Sequence, residues 1–263
     1  MTNRFSTMQL ADRRAIVTGG AGGIGRATAV AIAELGADVV LTDVDEAGGA
    51  RVATQIGGTF AMLDVGDPEA WARVVDTAGP FDIAFLNAGI ATRPGLPPTE
   101  GLPIMSLTDE DYRRIMSINV DGVVYGTRAV LPGMLERGAG DIVATASVGG
   151  LVPVGMDPVY GLTKHAVVGF VRSVAATLDA NGAPDVCISA ICPGFADTNI
   201  LDEQARAVID ELGLEIMPPE RIADTVTQSL DRRVQGAQWV VWPGVDSFVY
   251  EWNPAVELPA VAS

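Results

Sequence analysis

The stretch that most constrains how this chain folds is residues 14–25, where a short apolar run leads into a glycine-rich turn. The run Ala15-Ile16-Val17 predicts a buried strand, and residues 24–35 carry apolar side chains at helical spacing. Glycines allow a sharp turn and a close approach of the backbone to a ligand. A helix that starts there directs free N–H groups and the positive end of its dipole at an anion. The stretch therefore predicts a binding site for a dinucleotide pyrophosphate, with a purely structural turn as the alternative.

Composition narrows the class of protein. The chain has 263 residues, of which 48% are hydrophobic, and we expect one folded domain over residues 1–263. Its net charge of −16 argues against binding to nucleic acid or to an anionic membrane surface. No stretch reaches the roughly 20 apolar residues of a membrane span, and no hydrophobic signal core opens the chain, so we expect a cytoplasmic protein. Cys187 and Cys192 face opposite sides of a predicted strand, which favours neither a disulfide nor a metal site.

Apolar strand candidates alternate with helical stretches along the chain. This alternation predicts an α/β fold, a Rossmann-like doubly wound parallel sheet of about seven strands with helices on both faces, in a single domain. The strands are predicted near residues 14–18, 38–42, 58–62, 81–86, 140–146, 186–191 and 238–242. The helices are predicted near residues 24–35, 45–56, 68–77, 108–136, 158–180, 201–212 and 219–230.

Asp43 ends the second predicted strand, 20 residues after Gly23. A carboxylate at this place can accept hydrogen bonds from both hydroxyls of an adenosine ribose and would repel a 2′-phosphate. Val44 follows it, and no Lys or Arg interrupts the glycine turn, so the sequence predicts a preference for NAD over NADP. The alternative is that Asp43 caps the helix that begins near Asp45.

Tyr160 and Lys164 are four residues apart, so a helix stacks them on one face. A tyrosine has an ordinary pKa of about 10, and a nearby ammonium lowers that pKa toward neutral pH, where a general base works best. Ser147 ends the fifth predicted strand, thirteen residues before Tyr160. The pattern predicts an acid/base centre at the mouth of the crevice, and the alternative is a tyrosine and a lysine on a solvated helix face.

Together these motifs resemble the short-chain dehydrogenase/reductase family, in its single-domain branch, over residues 14 to about 244. The matching residues are Thr18, Gly19, Gly23 and Gly25 in a T-G-x-x-x-G-x-G turn, Asn87-Ala88-Gly89 after the fourth strand, Asn119, Ser147, and Tyr160 with Lys164. One departure from the family pattern is Leu86, which stands where the family has an asparagine before Asn87. That departure concerns one structural hydrogen bond.

The resemblance implies roles for four residues. Tyr160 is the acid/base, and Ser147 hydrogen-bonds the substrate oxygen. Lys164 binds the nicotinamide ribose and tunes Tyr160. Asn119 disturbs its helix and anchors a proton-relay water through its backbone carbonyl, although local sequence alone equally favours a solvated helical asparagine.

The resemblance also implies a set of cofactor contacts. In the family, Asp64 and Val65 meet the adenine ring, and Thr198 hydrogen-bonds the carboxamide after a Pro-Gly turn. From spacing alone, Asp64 is equally a cap or turn residue. The expected cofactor-binding residues are Gly19, Gly23, Ile24, Gly25, Asp43, Asp64, Val65, Asn87, Ala88, Gly89, Tyr160, Lys164, Pro193, Gly194 and Thr198.

The pocket candidates are mostly apolar, with no obvious cation for a carboxylate or phosphate. They are Val148, Val154, Met156 and Phe195, with Ile90 and Met217 beside them. We therefore expect an NAD-dependent oxidoreductase that passes a hydride between a hydrophobic secondary alcohol and NAD. The alternatives are an NADH-dependent ketone reductase with the same residues and a catalytically idle dinucleotide-binding protein.

Two segments leave their roles open. Residues 90–107 form a loop that edges either the substrate pocket or a subunit contact. The aromatic tail, with Phe248, Tyr250 and Trp252, packs on a neighbouring subunit or on its own domain. The family resemblance implies a homodimer or a homotetramer.

Overall fold

Eight strands form the centre of the molecule in a computed structural model that describes residues 8–92 and 102–252. The strands are β1 Arg14–Thr18, β2 Asp38–Asp43, β3 Thr59–Met62, β4 Ile83–Leu86, β5 Gly140–Thr145, β6 Val186–Pro193, β7 Gln238–Val241 and β8 Phe248–Val249. Their order across the sheet is β3-β2-β1-β4-β5-β6-β7-β8. The first seven run parallel, and β8 pairs antiparallel with β7.

Eight α-helices connect the strands within the described residues. They are α1 Gly23–Glu34, α2 Glu46–Ile56, α3 Pro68–Ala78, α4 Asp109–Met116, α5 Gly122–Arg137, α6 Pro158–Ala180, α7 Glu203–Glu211 and α8 Pro219–Arg232. Two hydrophobic clusters lie on opposite faces of the sheet. One buries side chains of α3, α5 and α6, and the other buries side chains of α1, α2 and α8. This confirms the doubly wound α/β fold.

The order of the strands reverses at β1, which pairs with β2 on one side and with β4 on the other. Connections leave the sheet in opposite directions at such a point and open a crevice outside the carboxyl ends of the strands. The same edge holds the ends of β5 and β6, which are paired in parallel. Residues that follow β1, β4, β5 and β6 therefore meet at one place.

Two details differ from the sequence-based expectation. The sheet has an eighth, antiparallel strand, because the chain turns back after β7 through Gly244, whose φ is 76°, and the Tyr250 amide donates to the Gln238 carbonyl. The helix expected over residues 108–136 is also interrupted. A π-helical segment, Ser117–Asp121, separates α4 from α5 and adds the wider turn that such segments introduce.

The aromatic tail packs on its own domain. Arg172 of α6 lies 4.1 Å from the centre of the Trp252 ring, and Trp252 donates to the Gln238 side chain at 2.5 Å. Tyr250 meets Trp252 edge-on, with ring centres 5.1 Å apart. Within the described ranges, no helix is both long enough and apolar enough to cross a membrane.

Candidate active site

The glycine turn between β1 and α1 is compact because glycines, which carry no side chain, stand where the backbone makes its closest contacts. Gly19 and Gly23 have φ values of 65° and 50°, in the left-handed region that favours glycine. A Cβ on Gly25 would lie 2.1 Å from the Gly19 carbonyl oxygen. In the described part of the chain, neither a side-chain cap nor an acidic residue occupies the first turn of α1. The first turn of α1 thus fits an anion, since it has no side-chain cap and no acidic residue of its own to satisfy its N–H groups and dipole.

The loop after β6 reaches back over this turn. A Cβ on Gly23 would lie 2.9 Å from Cγ2 of Thr198. Arg206 of α7 donates to the Thr198 carbonyl at 3.2 Å and pairs with Asp197 at 2.6 Å, which holds the loop in place. The structure therefore brings Thr198, an expected cofactor-binding residue that is distant in sequence, to the glycine turn.

Asp43 stands at the end of β2 beside the same turn. Its carboxylate accepts from the Ala21 amide at 2.9 Å and from the Asp45 amide at 3.0 Å. The cap of α2 is Asp45, which accepts from the Gly48 amide at 2.9 Å, so the alternative assignment of Asp43 as the helix cap is wrong. Val44 beside it is 68% exposed. The local charge that a bound ribose would meet here is negative.

Asp64 and Val65 lie on the other side of the dinucleotide crevice. Asp64 accepts from the Gly66 amide at 2.9 Å, which makes it a turn residue, and the cap of α3 is Asp67. Val65 is buried, and a Cβ on Gly122 would lie 2.8 Å from its Cγ2. Asp64 is exposed at the end of β3, so the turn and an adenine contact are compatible.

Asn87 joins three strand ends. Its backbone amide donates to the Thr18 hydroxyl at 2.9 Å, and its side-chain amide donates to the Thr18 carbonyl at 3.1 Å. Its side-chain oxygen accepts from the Thr145 hydroxyl at 3.1 Å. The Ala88 amide also donates to the Thr18 hydroxyl, at 3.1 Å. Sequence reasoning missed Thr145, although its position at the end of a strand was the available signal. Leu86, which stands where the family has an asparagine, packs in the core.

Asn119 lies in the π-helical segment and is 1% exposed, so the alternative of a solvated helical asparagine is wrong. Its side-chain oxygen accepts from the Ile90 amide at 2.8 Å, and its side-chain nitrogen donates to the Ile90 carbonyl at 2.9 Å. The same nitrogen donates to the Thr163 hydroxyl at 3.1 Å. Asn119 therefore ties the start of the loop after β4 to α6.

Ser147, Tyr160 and Lys164 converge at the carboxyl end of β5. The Ser147 hydroxyl accepts from the Gly149 amide at 3.0 Å and donates to the Pro193 carbonyl at 3.4 Å, and it lies close enough to the Tyr160 phenol to act on the pKa of that phenol. Nζ of Lys164 lies 5.6 Å from the centre of the Tyr160 ring and donates to the Thr145 carbonyl at 2.9 Å. Lys164 is 3% exposed, so the alternative of a solvated helix face is wrong.

Burial dominates the electrostatics of this cluster. It raises the pKa of the Tyr160 phenol, while the hydrogen bond with Ser147 acts to lower that pKa and the charge of Asp157 raises it. Burial also lowers the pKa of Lys164 to about 8. The net pKa of Tyr160 therefore lies above its ordinary value, so the expected fall toward neutral pH is wrong for these residues alone. The reason is that one desolvated interior disfavours both charged forms.

The candidate pocket residues differ in how far their side chains are exposed. Val154 packs between Gly149 and Gly161, where Cβ atoms would lie 2.6 and 3.2 Å from its side chain. Val148, Phe195 and Ile90 are half-buried, and Met156 is 47% exposed. Met217 is 0% exposed and packs into the core beneath Gly194, so its placement in the pocket is wrong.

The arrangement combines a dinucleotide cradle with an acid/base group. The glycine turn has Asp43 and Thr198 against it, and the phenol of Tyr160 lies at the carboxyl end of β5 beside a hydroxyl and an ammonium. This places the protein among the α/β oxidoreductases that use a nicotinamide cofactor at the switch point of a parallel sheet.

Comparison with known proteins agrees with this class. The sequence profile described as short chain dehydrogenase matches residues 13–208. The chain belongs to the short-chain dehydrogenase/reductase family. It is an oxidoreductase of a family that binds a nicotinamide dinucleotide and acts on small alcohol or ketone substrates.

Several curated proteins are similar to the chain. A 2-keto-3-deoxy-L-fuconate dehydrogenase of Xanthomonas campestris pv. campestris is 38% identical over 76% of this chain, a match that spans 64% of that protein's length. A 2,5-dichloro-2,5-cyclohexadiene-1,4-diol dehydrogenase of Sphingobium indicum is 35% identical over 88% of this chain and 90% of its own length. A levodione reductase of Leifsonia aquatica is 35% identical over 78% of this chain and 77% of its own.

A solved structure shows the same fold. The 3-ketoacyl-(acyl-carrier-protein) reductase from Brucella melitensis, complexed with NADH, matches with a TM-score of 0.80 and 26% sequence identity, over 90% of this chain and 99% of that chain.

The junction at Thr18 is testable with a pair of variants. Thr18→Val keeps the shape but removes the acceptor for two backbone N–H groups, so we expect the free energy of unfolding to fall by about 1–3 kcal/mol and the Kd for NADH to rise. Thr18→Ser keeps the hydroxyl and is expected to stay near the wild type in both. Urea denaturation and NADH titration measure the two quantities. Equal behaviour of the two variants would contradict the assigned role of the hydroxyl.

The depressed pKa of Lys164 can be measured directly, because Lys164 is the sole lysine in the sequence. Protein labelled with ¹³C-lysine gives one lysine Cε signal, and we expect its NMR titration to have a midpoint near pH 8, against 10.5 for an ordinary lysine. Urea-unfolded protein is the control and should titrate at the ordinary value. A folded-state midpoint equal to the unfolded one would show that the ammonium is not desolvated.

Proposed function

We propose that the chain is an NAD-dependent dehydrogenase that oxidises a hydrophobic secondary alcohol to a ketone. The observation that carries this proposal is the cluster at the end of β5, where Tyr160 lies near the Ser147 hydroxyl and 5.6 Å, measured at its ring centre, from Nζ of the buried Lys164. A phenol held between a hydroxyl and an ammonium is suited to moving one proton to or from a substrate oxygen.

The cofactor is proposed to be NAD. Asp43 presents a carboxylate beside the glycine turn, and the neighbouring Val44 offers no cation to a 2′-phosphate. The proposed contacts are Gly19, Gly23, Ile24 and Gly25 to the pyrophosphate, Asp43 to the adenosine ribose, Asp64 and Val65 to adenine, and Asn87, Ala88, Gly89, Tyr160, Lys164, Pro193, Gly194 and Thr198 to the nicotinamide half. When bound, the cofactor supplies or accepts the hydride at its nicotinamide ring.

The chain's own residues are proposed to handle the proton. Tyr160 takes the proton of the substrate hydroxyl, and Ser147 hydrogen-bonds the same oxygen and fixes its position. Lys164 holds the nicotinamide ribose, and its charge favours the phenolate. Asn119 holds the loop after β4 against α6 and is proposed to anchor the proton-relay water through its backbone carbonyl.

Ketone reduction with NADH is the second candidate, and one observation favours it. The raised pKa of Tyr160 keeps the phenol protonated at neutral pH, which is the form that donates a proton to a ketone oxygen. Similar proteins carry names of both kinds, a diol dehydrogenase and a levodione reductase. Because the same residues serve both directions, we expect reduction to be favoured near neutral pH and alcohol oxidation to accelerate as the pH rises.

The substrate is proposed to be apolar and uncharged near the reacting carbon. Val148, Val154, Met156 and Phe195 are the proposed pocket residues, and the side chains of Val154 and Tyr160 both lie near Gly149. Apolar linings with a few placed polar groups are typical of such pockets. We also propose that the single domain has an N-terminal cofactor-binding part and a C-terminal catalytic part. The protein is proposed to act as a homodimer or homotetramer in the cytoplasm.

The proposed chemistry is tested by following absorbance at 340 nm across a panel of secondary alcohols with NAD and of ketones with NADH. Tyr160→Phe removes the phenol hydroxyl and is expected to lower kcat by about 10²–10⁴-fold, with NADH binding retained. Undiminished turnover in this variant would contradict the mechanism. NADH binding without turnover of any substrate would favour the idle dinucleotide-binding protein.

The proposed preference for NAD is tested by exchanging charge at the end of β2. Asp43→Ser combined with Val44→Arg removes a carboxylate that repels a 2′-phosphate and adds a guanidinium that binds one, so the ratio of kcat/KM for NADP over NAD should rise. Val44→Ala is the matched control and should keep the wild-type ratio. An unchanged ratio in the double variant would show that Asp43 does not face the adenosine ribose.

A further inference from the structure

Residues 90–92, the described start of the loop after β4, are bound to the helix that carries Tyr160 at two points, while residues 93–101 of that loop lie outside the described residues. At the first point, Asn119 exchanges two hydrogen bonds with the Ile90 backbone and donates to Thr163. The Thr163 hydroxyl in turn donates to the Tyr160 carbonyl at 2.8 Å. The second point is a single carboxylate, that of Asp157.

Asp157 has no place in the family motifs, yet it contacts both sides of the site. Its Oδ1 accepts from the Tyr160 backbone amide at 2.9 Å and from the Thr92 hydroxyl at 2.6 Å. Its Oδ2 accepts from the Thr92 backbone amide at 3.1 Å. Thr92 is 7% exposed and Asp157 is half-buried, so these bonds are partly shielded from water.

From this geometry we propose that Asp157 is a positioning residue for the proposed reaction: one carboxylate fixes the backbone of Tyr160 and the segment of residues 90–92 relative to each other. The proposal rests on the proposed function only in taking Tyr160 as the acid/base. A cap on a helix needs one acceptor oxygen, and Asp157 uses the other to hold a second segment. Movement of residues 90–92 on substrate entry is thereby coupled to the position of the phenol.

The charge of Asp157 adds an electrostatic effect on the phenol. It acts to raise the pKa of Tyr160, in the same direction as burial and against the hydrogen bond with Ser147. The other groups around Tyr160 are Lys164 on the same helix and Cys192 of β6, whose thiol is neutral at ordinary pH because burial raises its pKa to about 12. On the far side, Arg114 donates to the Thr92 carbonyl at 3.1 Å.

Asp157→Asn separates this role from simple capping. Asparagine caps a helix as well as aspartate does, so α6 should form as before. Its side chain has one acceptor oxygen instead of two, so either the Thr92 or the Tyr160 amide loses its partner, and the negative charge is gone. Loss of the charge acts on the pKa of Tyr160 whether or not the carboxylate holds a second segment, so the protection of residue 92 is the quantity that a merely structural cap would leave unchanged.

The experiment measures both quantities by NMR without a substrate. The chain has four tyrosines, and in protein labelled with ¹³C at tyrosine Cζ, Tyr160→Phe assigns the signal of Tyr160. In Asp157→Asn we expect the midpoint of Tyr160 to move to lower pH, and the hydrogen-exchange protection of the Thr92 amide to fall. Asp67→Asn, at the cap of α3, is the matched control and should change neither.

Thr92→Val provides a second variant that keeps the charge and the cap. It severs the 2.6 Å bond alone and keeps the bond from the residue 92 amide to Oδ2 of Asp157, so the midpoint of Tyr160 should not fall and protection at residue 92 should fall less than in Asp157→Asn. A midpoint in Asp157→Asn at or above the wild-type value, or an equal shift in Asp67→Asn, overturns the proposal. Because these measurements need no turnover, a wild-type protein that fails to bind NADH would refute the proposed function and leave the test of Asp157 intact.

Discussion

The site depends on the junction between β1 and β4, where one threonine hydroxyl accepts two backbone amides. Thr18 ends β1, and its hydroxyl receives the N–H groups of Asn87 and Ala88 at the end of β4. The backbone pairing of β1 with β4 ends at Val17 and Phe85, so the residues that follow need other hydrogen bonds to stay together. This junction closes the sheet at the switch point and sets the glycine turn against the residues that follow β4. A Cβ on Gly19 would lie 2.9 Å from the Ala88 Cα, so position 19 has no room for a side chain.

The two edges of the sheet are built from different interactions. At the amino ends of the strands, the buried Asp141 pairs with Arg13 at 2.6 Å and with Arg233 at 3.0 Å. At the carboxyl ends, neutral hydrogen bonds through Thr18, Asn87 and Thr145 connect the strands, and the main buried charge is that of Lys164. Carboxylates compensate the guanidiniums at the first edge. At the second, the ammonium has a backbone carbonyl as its partner, which is consistent with the lowered pKa of Lys164.

Much of this could be predicted from the sequence, because the relevant signals are local. The alternation of apolar runs located seven of the strands, and strand ends that carry Gly19, Asn87, Ser147 and Pro193 had to meet once the sheet was parallel. The features that escaped are those fixed by contacts between distant segments. Nothing in the local pattern marks the two-residue β8 or the bonds from Thr92 to Asp157, whereas the disturbance of the helix at Asn119 is implied by the family resemblance. The sign of the pKa shift at Tyr160 also escaped, since it depends on burial, which spacing does not report.

A crystal structure of the chain with bound NADH tests the central claim most directly. The account predicts the pyrophosphate at the amino end of α1, the adenosine ribose on the Asp43 carboxylate, and the nicotinamide ring between Thr198 and Tyr160. It also predicts that Lys164 contacts the nicotinamide ribose. A dinucleotide bound away from the glycine turn, or with its nicotinamide out of reach of Tyr160, would contradict the account.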